Sequence, residues 1–242
     1  MYLIIDEGNT RVKTAIYSDR RKLWYLEKPQ FRLNDIEKVL NKYKPEGAIY
    51  STVRKNEQNE EYANLKEQLN LFIDFDYKTP VPIKNLYQSK ATLGLDRLAA
   101  AVAAKALFPG KNILVIDAGT AITYEFISSG GEYQGGNISP GINIRFSALN
   151  NGTGRLPLVS GSEIDFLVGK NTEEAIIAGV LNGVLFEVSK YIEQFKQQNK
   201  NACVIVTGGD CKFFDNKLKN DIFAVADLVL MGLYEILRFN DK

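Results

Sequence analysis

Leu3-Ile4-Ile5-Asp6-Glu7-Gly8-Asn9-Thr10-Arg11-Val12-Lys13 and Ile113-Leu114-Val115-Ile116-Asp117-Ala118-Gly119-Thr120-Ala121-Ile122-Thr123 follow one plan. In each, a short apolar run ends in Asp-x-Gly, turns through small polar residues and returns as a second apolar run. Continuous apolar stretches suit buried strands, and Gly beside Asn or Thr is the chemistry of a tight turn. Each stretch therefore predicts strand, turn, strand, with the returning strands over 12–17 and 122–126. The two Asp residues stand 111 positions apart (117 minus 6). A unit used twice at that spacing predicts a duplicated α/β architecture with ligands held in a cleft between the halves.

Working outward, apolar periodicity predicts helices over 35–43 and 57–69 and buried strands over 48–52 and 71–75. Gly94-Leu95-Asp96-Arg97 opens an Ala-rich helix that runs to 107. Beyond the second hairpin the sequence predicts a Gly-rich loop over 130–141, helices near 142–149 and 173–195, and a strand over 203–206. The turn Thr207-Gly208-Gly209-Asp210 and an amphipathic C-terminal helix over 227–239 complete the pattern. No linker rich in Pro, Gly or Ser divides the chain, so the expected lobes are 1–108 and 109–242, with a hinge near Pro109-Gly110.

The chain has 242 residues, 45% hydrophobic and 24% charged, enough for one large or two smaller cores. Thirty Lys and Arg against 29 Asp and Glu give a net charge of +1, which disfavours nucleic acid as a partner. Histidine is absent, which removes imidazole catalysis, Ser-His triads and histidine metal sites together. Proton transfer then falls to carboxylates, Lys or Tyr. Cys203 and Cys211 are read as reduced structural thiols. Residues 1–6 lack the pattern of a signal peptide and no uninterrupted apolar run approaches the roughly 20 residues of a membrane span, so a cytoplasmic location without a membrane partner is expected.

Four groups of residues can carry chemistry. In Asp6 to Lys13, Gly8 lets backbone approach phosphate oxygens, Asn9, Thr10 and Lys13 supply donors, and Asp6 can hold Mg²⁺ through water. Alone this is equally an ordinary hairpin turn. The second copy, Asp117 to Thr123, favours function, because two carboxylate-Gly-hydroxyl hairpins facing a cleft would grip a triphosphate and its cation. Thr207 to Asp210 offers backbone to the nucleoside of ATP. Asp96 and Arg97 sit side by side in a first helical turn: a dipole-favoured acid beside a solvent charge on one reading, a proton acceptor beside an anion-binding guanidinium on the other. The glycines of 135–141 and 152–157 are loop positions, or places where backbone comes close to a ligand or a neighbouring segment.

In order along the chain, Asp6-Glu7-Gly8-Asn9-Thr10, Gly94-Leu95-Asp96-Arg97, Asp117 to Thr123, Gly136-Asn137-Ile138-Ser139-Pro140-Gly141 and Thr207-Gly208-Gly209-Asp210 resemble type III pantothenate kinases. The resemblance implies an actin-like (ribonuclease H-like) two-lobe fold with the active site in the interlobe cleft. It also implies ATP-dependent phosphorylation of pantothenate at its primary hydroxyl, the first step toward coenzyme A. A homodimer needing Mg²⁺ and a monovalent cation, K⁺ or NH₄⁺, is implied as well. By position, Asp96 matches the proton acceptor and Asp117 the monovalent-cation ligand. Asp6, Glu7, Gly8, Asn9, Thr10, Arg11, Val12 and Lys13 match the phosphate loop, and Thr120 a nucleotide contact. Tyr87, Gly94, Leu95, Asp96, Arg97 and Thr172 match the pantothenate contacts. Lys90 stands where a proline is expected before Gly94, and Glu125 where an Asp often closes the second hairpin. The alternatives are another small-molecule kinase on this scaffold and a nucleotide-binding regulatory protein.

Overall fold

The computed structural model describes residues 1–54, 60–218 and 222–241. The chain forms two units, Met1–Leu107 with Leu228–Lys242, and Phe108–Asp227. The first contains β1 (Tyr2–Glu7), β2 (Val12–Ser18), β3 (Arg21–Lys28), α1 (Leu33–Tyr43), β4 (Gly47–Thr52), α2 (Glu60–Glu67), β5 (Leu71–Asp74), β6 (Lys84–Asn85), a 3₁₀ turn (Lys90–Thr92) and α3 (Leu95–Leu107). Its main sheet runs β3-β2-β1-β4-β5. β1, β2 and β3 are antiparallel, whereas β4 pairs in parallel with both β1 and β5. Leu3, Ile5, Val12 and Ile16 on one face of this sheet pack against Phe31, Ile36, Tyr62 and Leu65, which closes the core beneath α1 and α2.

The second unit repeats the plan. It contains β7 (Asn112–Ala118), β8 (Ala121–Ile127), β9 (Glu132–Pro140), α4 (Ile142–Gly152), α5 (Thr172–Gln198), β10 (Ala202–Thr207), α6 (Cys211–Lys217) and β11 (Phe223–Ala224). Its five strands run β9-β8-β7-β10-β11, the same spatial order as in the first unit. The pairings also match: antiparallel through β9, β8 and β7, parallel through β7, β10 and β11. The duplication inferred from the two Asp-x-Gly hairpins is thus a duplication of topology.

α5 reaches 27 residues, with an apolar window of mean hydropathy 1.5, long and apolar enough by composition to cross a bilayer. Its residues Ile176, Leu181, Val184, Val188, Ile192 and Phe195 recur every three to five positions and lie buried against Leu114, Ile116 and Tyr124, so this stripe builds the core of the second unit. Its start is fixed by Asn171, whose side chain accepts the Glu174 amide at 2.9 Å.

Two expectations change, and a third runs partly outside the described residues. The segment 130–141, read as a loop, contains β9; a register shift opposite Phe126/Ile127 and φ +118° at Gly135 mark a bulge, which is how a strand tolerates these glycines. The helix expected over 57–69 is described from Glu60, and its first expected residues lie outside the described ones. The last helix, α7 (Leu228–Asn240), belongs with the first unit and not with the lobe expected over 109–242. It contacts α3, β1 and β4. The reason is a fit of small residues: a Cβ on Gly232 would lie 1.8 Å from the Ala99 carbonyl oxygen, so α3 and α7 approach closely enough to require glycine there. The internal boundary falls between Leu107 and Phe108, next to the expected Pro109-Gly110.

Candidate active site

The β1/β2 hairpin of the first unit presents Asp6 and Glu7 to opposite faces of the sheet, because side chains alternate along a strand. Glu7 shares the face of Leu3 and Ile5. There its carboxylate accepts the Tyr50 hydroxyl at 2.5 Å and pairs with Arg54 Nη1 at 3.3 Å. Burial, and then the bond to Glu7, push the Tyr50 hydroxyl well above the usual phenol range, so it stays protonated and donates. Asp6 lies on the other face, 9% exposed, in register with Lys13 on β2 and Ser51 on β4. The Ser51 hydroxyl is buried without a hydrogen-bond partner among the described residues.

The turn itself is tied at its base, where the Gly8 amide donates to the Arg11 carbonyl at 2.9 Å. Asn9, Thr10 and Arg11 are exposed, and Arg11 meets Glu27 at 3.4 Å. Val12 is 1% exposed within the core, so its contribution to the loop is to anchor it. Arg54, which the sequence reading passed over, closes on the turn: Nε donates to the Gly8 carbonyl at 3.0 Å and Nη2 to the Asn9 carbonyl at 3.2 Å.

Asp96 and Arg97 occupy the first turn of α3. The Asp96 carboxylate accepts the Arg97 amide at 2.8 Å, and a Cβ at residue 94 would come within 2.6 Å of that oxygen, so a side chain there would push the carboxylate from this position. Arg97 is no solvent charge. It is 7% exposed, and its guanidinium lies 5.8 Å from the centre of the Tyr87 ring, within range of a cation–π contact. Leu95 is half-buried beside them. The structure thus joins Tyr87, Gly94, Asp96 and Arg97 in one cluster of the first unit, while Thr172 is the exposed first residue of α5 in the second.

In the second unit the β7/β8 turn is closed by the Gly119 amide donating to the Ala121 carbonyl at 3.0 Å. Two loops press on it. The Gly141 amide donates to the Thr120 carbonyl at 3.1 Å, and a Cβ at 141 would sit 2.2 Å from the Gly119 oxygen. On the other side Gly208, at φ +93°, leaves room that a Cβ would fill at 2.3 Å from the Ala118 oxygen and 2.4 Å from Asp117 Oδ1. The Asp210 amide then donates to the same Ala118 carbonyl at 2.9 Å. Gly141 and Gly208 are therefore where backbone approaches the hairpin, whereas a Cβ at Gly152 or Gly154 would meet nothing within 4 Å.

Pro140, just before Gly141, is held in turn. Its carbonyl accepts Arg145 Nε at 2.8 Å, and Arg145 Nη2 pairs with Glu187 at 2.6 Å, while Glu187 also accepts the Tyr124 hydroxyl at 2.7 Å. Burial opposes ionisation of Glu187, but the bonds from Arg145 and Tyr124 hold its carboxyl below the ordinary value. Glu125 does not close the hairpin as expected. It pairs with Val115, two residues in from the Asp117–Thr123 rung, is fully buried and accepts the Tyr133 hydroxyl at 2.5 Å.

Beside the Thr207 to Asp210 turn opens a cavity of about 640 Å³ lined by Gly209, Asp210, Lys212, Phe213 and Asn216 and by residues of the 162–165 segment. Burial raises the Asp210 carboxyl. The volume suits a nucleoside-sized ligand. Among the described residues no group of three or more His, Cys, Asp or Glu side chains could hold a metal by itself.

Duplicated units of this topology, each with an Asp-x-Gly hairpin, define the actin-like ATPase and sugar kinase fold. The same fold is found in a conserved protein of Campylobacter jejuni assigned to the Baf family of transcriptional activators (TM-score 0.64, 23% identity, 98% of each chain). It recurs in a candidate 2-dehydro-3-deoxygalactonokinase from Sinorhizobium meliloti (TM-score 0.56, 11% identity, 100% of this chain and 99% of that one). Within that class, the sequence profile of type III pantothenate kinase matches residues 2–194. The type III pantothenate kinase of Bacteroides fragilis is 47% identical over 242 residues, spanning 100% of this chain and 99% of its own. The chain belongs to the type III pantothenate kinase family.

Proposed function

We propose that the protein transfers the γ-phosphoryl group of ATP to the primary hydroxyl of pantothenate, giving 4'-phosphopantothenate in the first step of coenzyme A synthesis. The observation that carries this reading is the buried Arg97, fixed against Tyr87 one residue from Asp96. A cation and a proton acceptor held together in one helical turn match a substrate that carries both a carboxylate and a hydroxyl. Arg97 pairs with the carboxylate, Tyr87, Gly94 and Leu95 contact the substrate beside it, Asp96 takes the hydroxyl proton, and Thr172 is a further pantothenate contact by its match to the family's position. As that proton leaves, the oxygen forms its bond to the γ-phosphorus and the bond from phosphorus to the bridging oxygen of ADP breaks.

The phosphates are held by the amides and side chains of Asp6 to Lys13 and by Thr120, and the nucleoside takes the cavity beside Gly209 and Asp210. The hairpins offer one carboxylate to each implied cation, Asp6 in the first unit and Asp117 in the second. Asp6, with the unpartnered Ser51 hydroxyl in register beside it, is a site for Mg²⁺ carrying its own waters, since that ion needs only one or two carboxylates plus phosphate oxygens. Asp117, near the end of β7 (Asn112–Ala118), stands where the family's monovalent-cation ligand is expected and is the proposed ligand for K⁺ or NH₄⁺. When bound, these cations neutralise charge developing on the transferred group. The exposed Leu158, Leu167, Val168 and Phe186 of the second unit support a homodimer. A cytoplasmic location accords with the substrates.

The test is pantothenate-dependent release of ADP, run beside Asp96→Asn. Turnover that requires pantothenate and falls by about 10²- to 10⁴-fold in the variant is expected. Wild-type turnover in Asp96→Asn would remove Asp96 from the mechanism. ADP release with another hydroxylated acid or sugar, and none with pantothenate, would reassign the substrate.

A further inference from the structure

We infer that Arg54 is a positioning residue that aims the backbone amides of Asn9 and Thr10 at the phosphates of ATP. The argument begins with peptide geometry. In a trans peptide the C=O of one residue and the N–H of the next point in opposite directions across a rigid plane. No peptide bond among the described residues is cis. Arg54 Nε takes the Gly8 carbonyl at 3.0 Å and Nη2 the Asn9 carbonyl at 3.2 Å. Fixing those two oxygens on one guanidinium turns the following amides, those of Asn9 and Thr10, away from it together. Neither amide donates to a backbone carbonyl among the described residues, so both remain available to an anion.

The clamp is itself anchored. Arg54 Nη1 meets Glu7 Oε1 at 3.3 Å, and Glu7 is held from behind by Tyr50 at 2.5 Å. Arg54 is half-buried, with 35% of its side chain exposed, while the Glu7 side chain is 11% exposed, so the chain of contacts runs from the core to the turn. Only a guanidinium has the planar fork to reach two carbonyls and a carboxylate at once; an ammonium brings the same charge to a single point. The arrangement also disposes of a chemical conflict. Carbonyl oxygens facing phosphate would repel it, and Arg54 turns two of them aside while presenting the donors of the same peptide planes.

This inference rests on the kinase reading, and its test separates the two. Steady-state kinetics of wild type, Arg54→Ala and Arg54→Lys, with ATP and pantothenate varied separately, are measured beside thermal unfolding and calorimetric binding of a non-hydrolysable ATP analogue. Arg54→Ala is expected to raise KM for ATP and weaken analogue binding by about 10- to 100-fold, with KM for pantothenate within about twofold of wild type. Arg54→Lys is expected to recover little of this, and added guanidinium ion to restore part of it in Arg54→Ala but not in Arg54→Lys. Unchanged analogue binding in Arg54→Ala overturns the inference. So does full recovery by Lys, which would reduce the role to charge, or an equal loss in both KM values together with Tm, which would reduce it to stability. Wild-type protein that binds the analogue but gives no pantothenate-dependent turnover would count against the activity alone, leaving Arg54 to be judged on binding.

Discussion

Gly208→Ala tests the packing of the second hairpin most directly. The residue sits at φ +93°, where an L side chain is strained, and its Cβ would lie 2.3 Å from the Ala118 oxygen and 2.4 Å from Asp117 Oδ1. Contacts below 3.0 Å are essentially never made by real Cβ atoms, so about 0.7 Å of movement is needed against backbone that also accepts the Asp210 amide. The conformational cost is about 1–2 kcal/mol and the crowding about 1–3 kcal/mol. Together they predict a Tm drop of about 4–20 °C for a protein of this size. Because the Asp117 carboxylate is one of the groups that must move, the K⁺ concentration for half-maximal activity should rise as well if Asp117 is the monovalent-cation ligand proposed above. The neighbouring Gly209→Ala is the control, since a Cβ there meets nothing within 4 Å; its Tm should stay within about 2 °C of wild type. Thermal unfolding by circular dichroism and a K⁺ titration of turnover decide the matter. A Gly208→Ala protein with wild-type Tm and wild-type K⁺ response would show that this approach of backbone does not shape the hairpin.

Gly232→Ala should cost more than about 3 kcal/mol in urea unfolding, because its Cβ would stand 1.8 Å from the Ala99 oxygen and α3 and α7 must part to admit it. Glu187 has a lowered pKa in the folded chain, so its contribution to stability is present above the unfolded carboxylate value of about 4.3 and disappears as pH falls through the lower folded value. Glu187→Gln should accordingly lower Tm at pH 7, and the gap to wild type should close in an unfolding series taken below about pH 4. Replacing K⁺ by a bulky tetraalkylammonium ion should reduce turnover if Asp117 holds a monovalent cation; unchanged rates at constant ionic strength would count against that site.

How far the molecule could be read in advance follows from where its information is local. The hairpins at Asp6 and Asp117 were legible because apolar runs and a Gly turn lie within about a dozen residues of each other. β3 was not, because Arg21 to Lys28 forms a half-exposed edge strand with charged ends and a register shift opposite Ile16/Tyr17 that breaks the alternation. Gly135, Gly136 and Pro140 argue locally against a strand, and non-local pairing, as with β8, overrules them. Asp96 and Arg97 could be singled out by type, but their mutual bond and the contact of Arg97 with Tyr87 appear only in three dimensions. Arg54 carried a faint signal at most: an arginine just past a buried strand, whose three acceptors lie more than forty positions away.

The placement of α7 has a consequence for synthesis. Residues 1–107 leave the ribosome first, yet the buried alanines of α3 and the strands beneath them gain their covering helix only from residues 228–240. The 120 residues of 108–227 come between. At about 5–20 residues per second they take roughly 6–24 s to make, long enough for an open apolar surface to find a wrong partner. The half of the protein translated first is thus the half completed last, and for that interval its apolar surface waits for the helix that covers it.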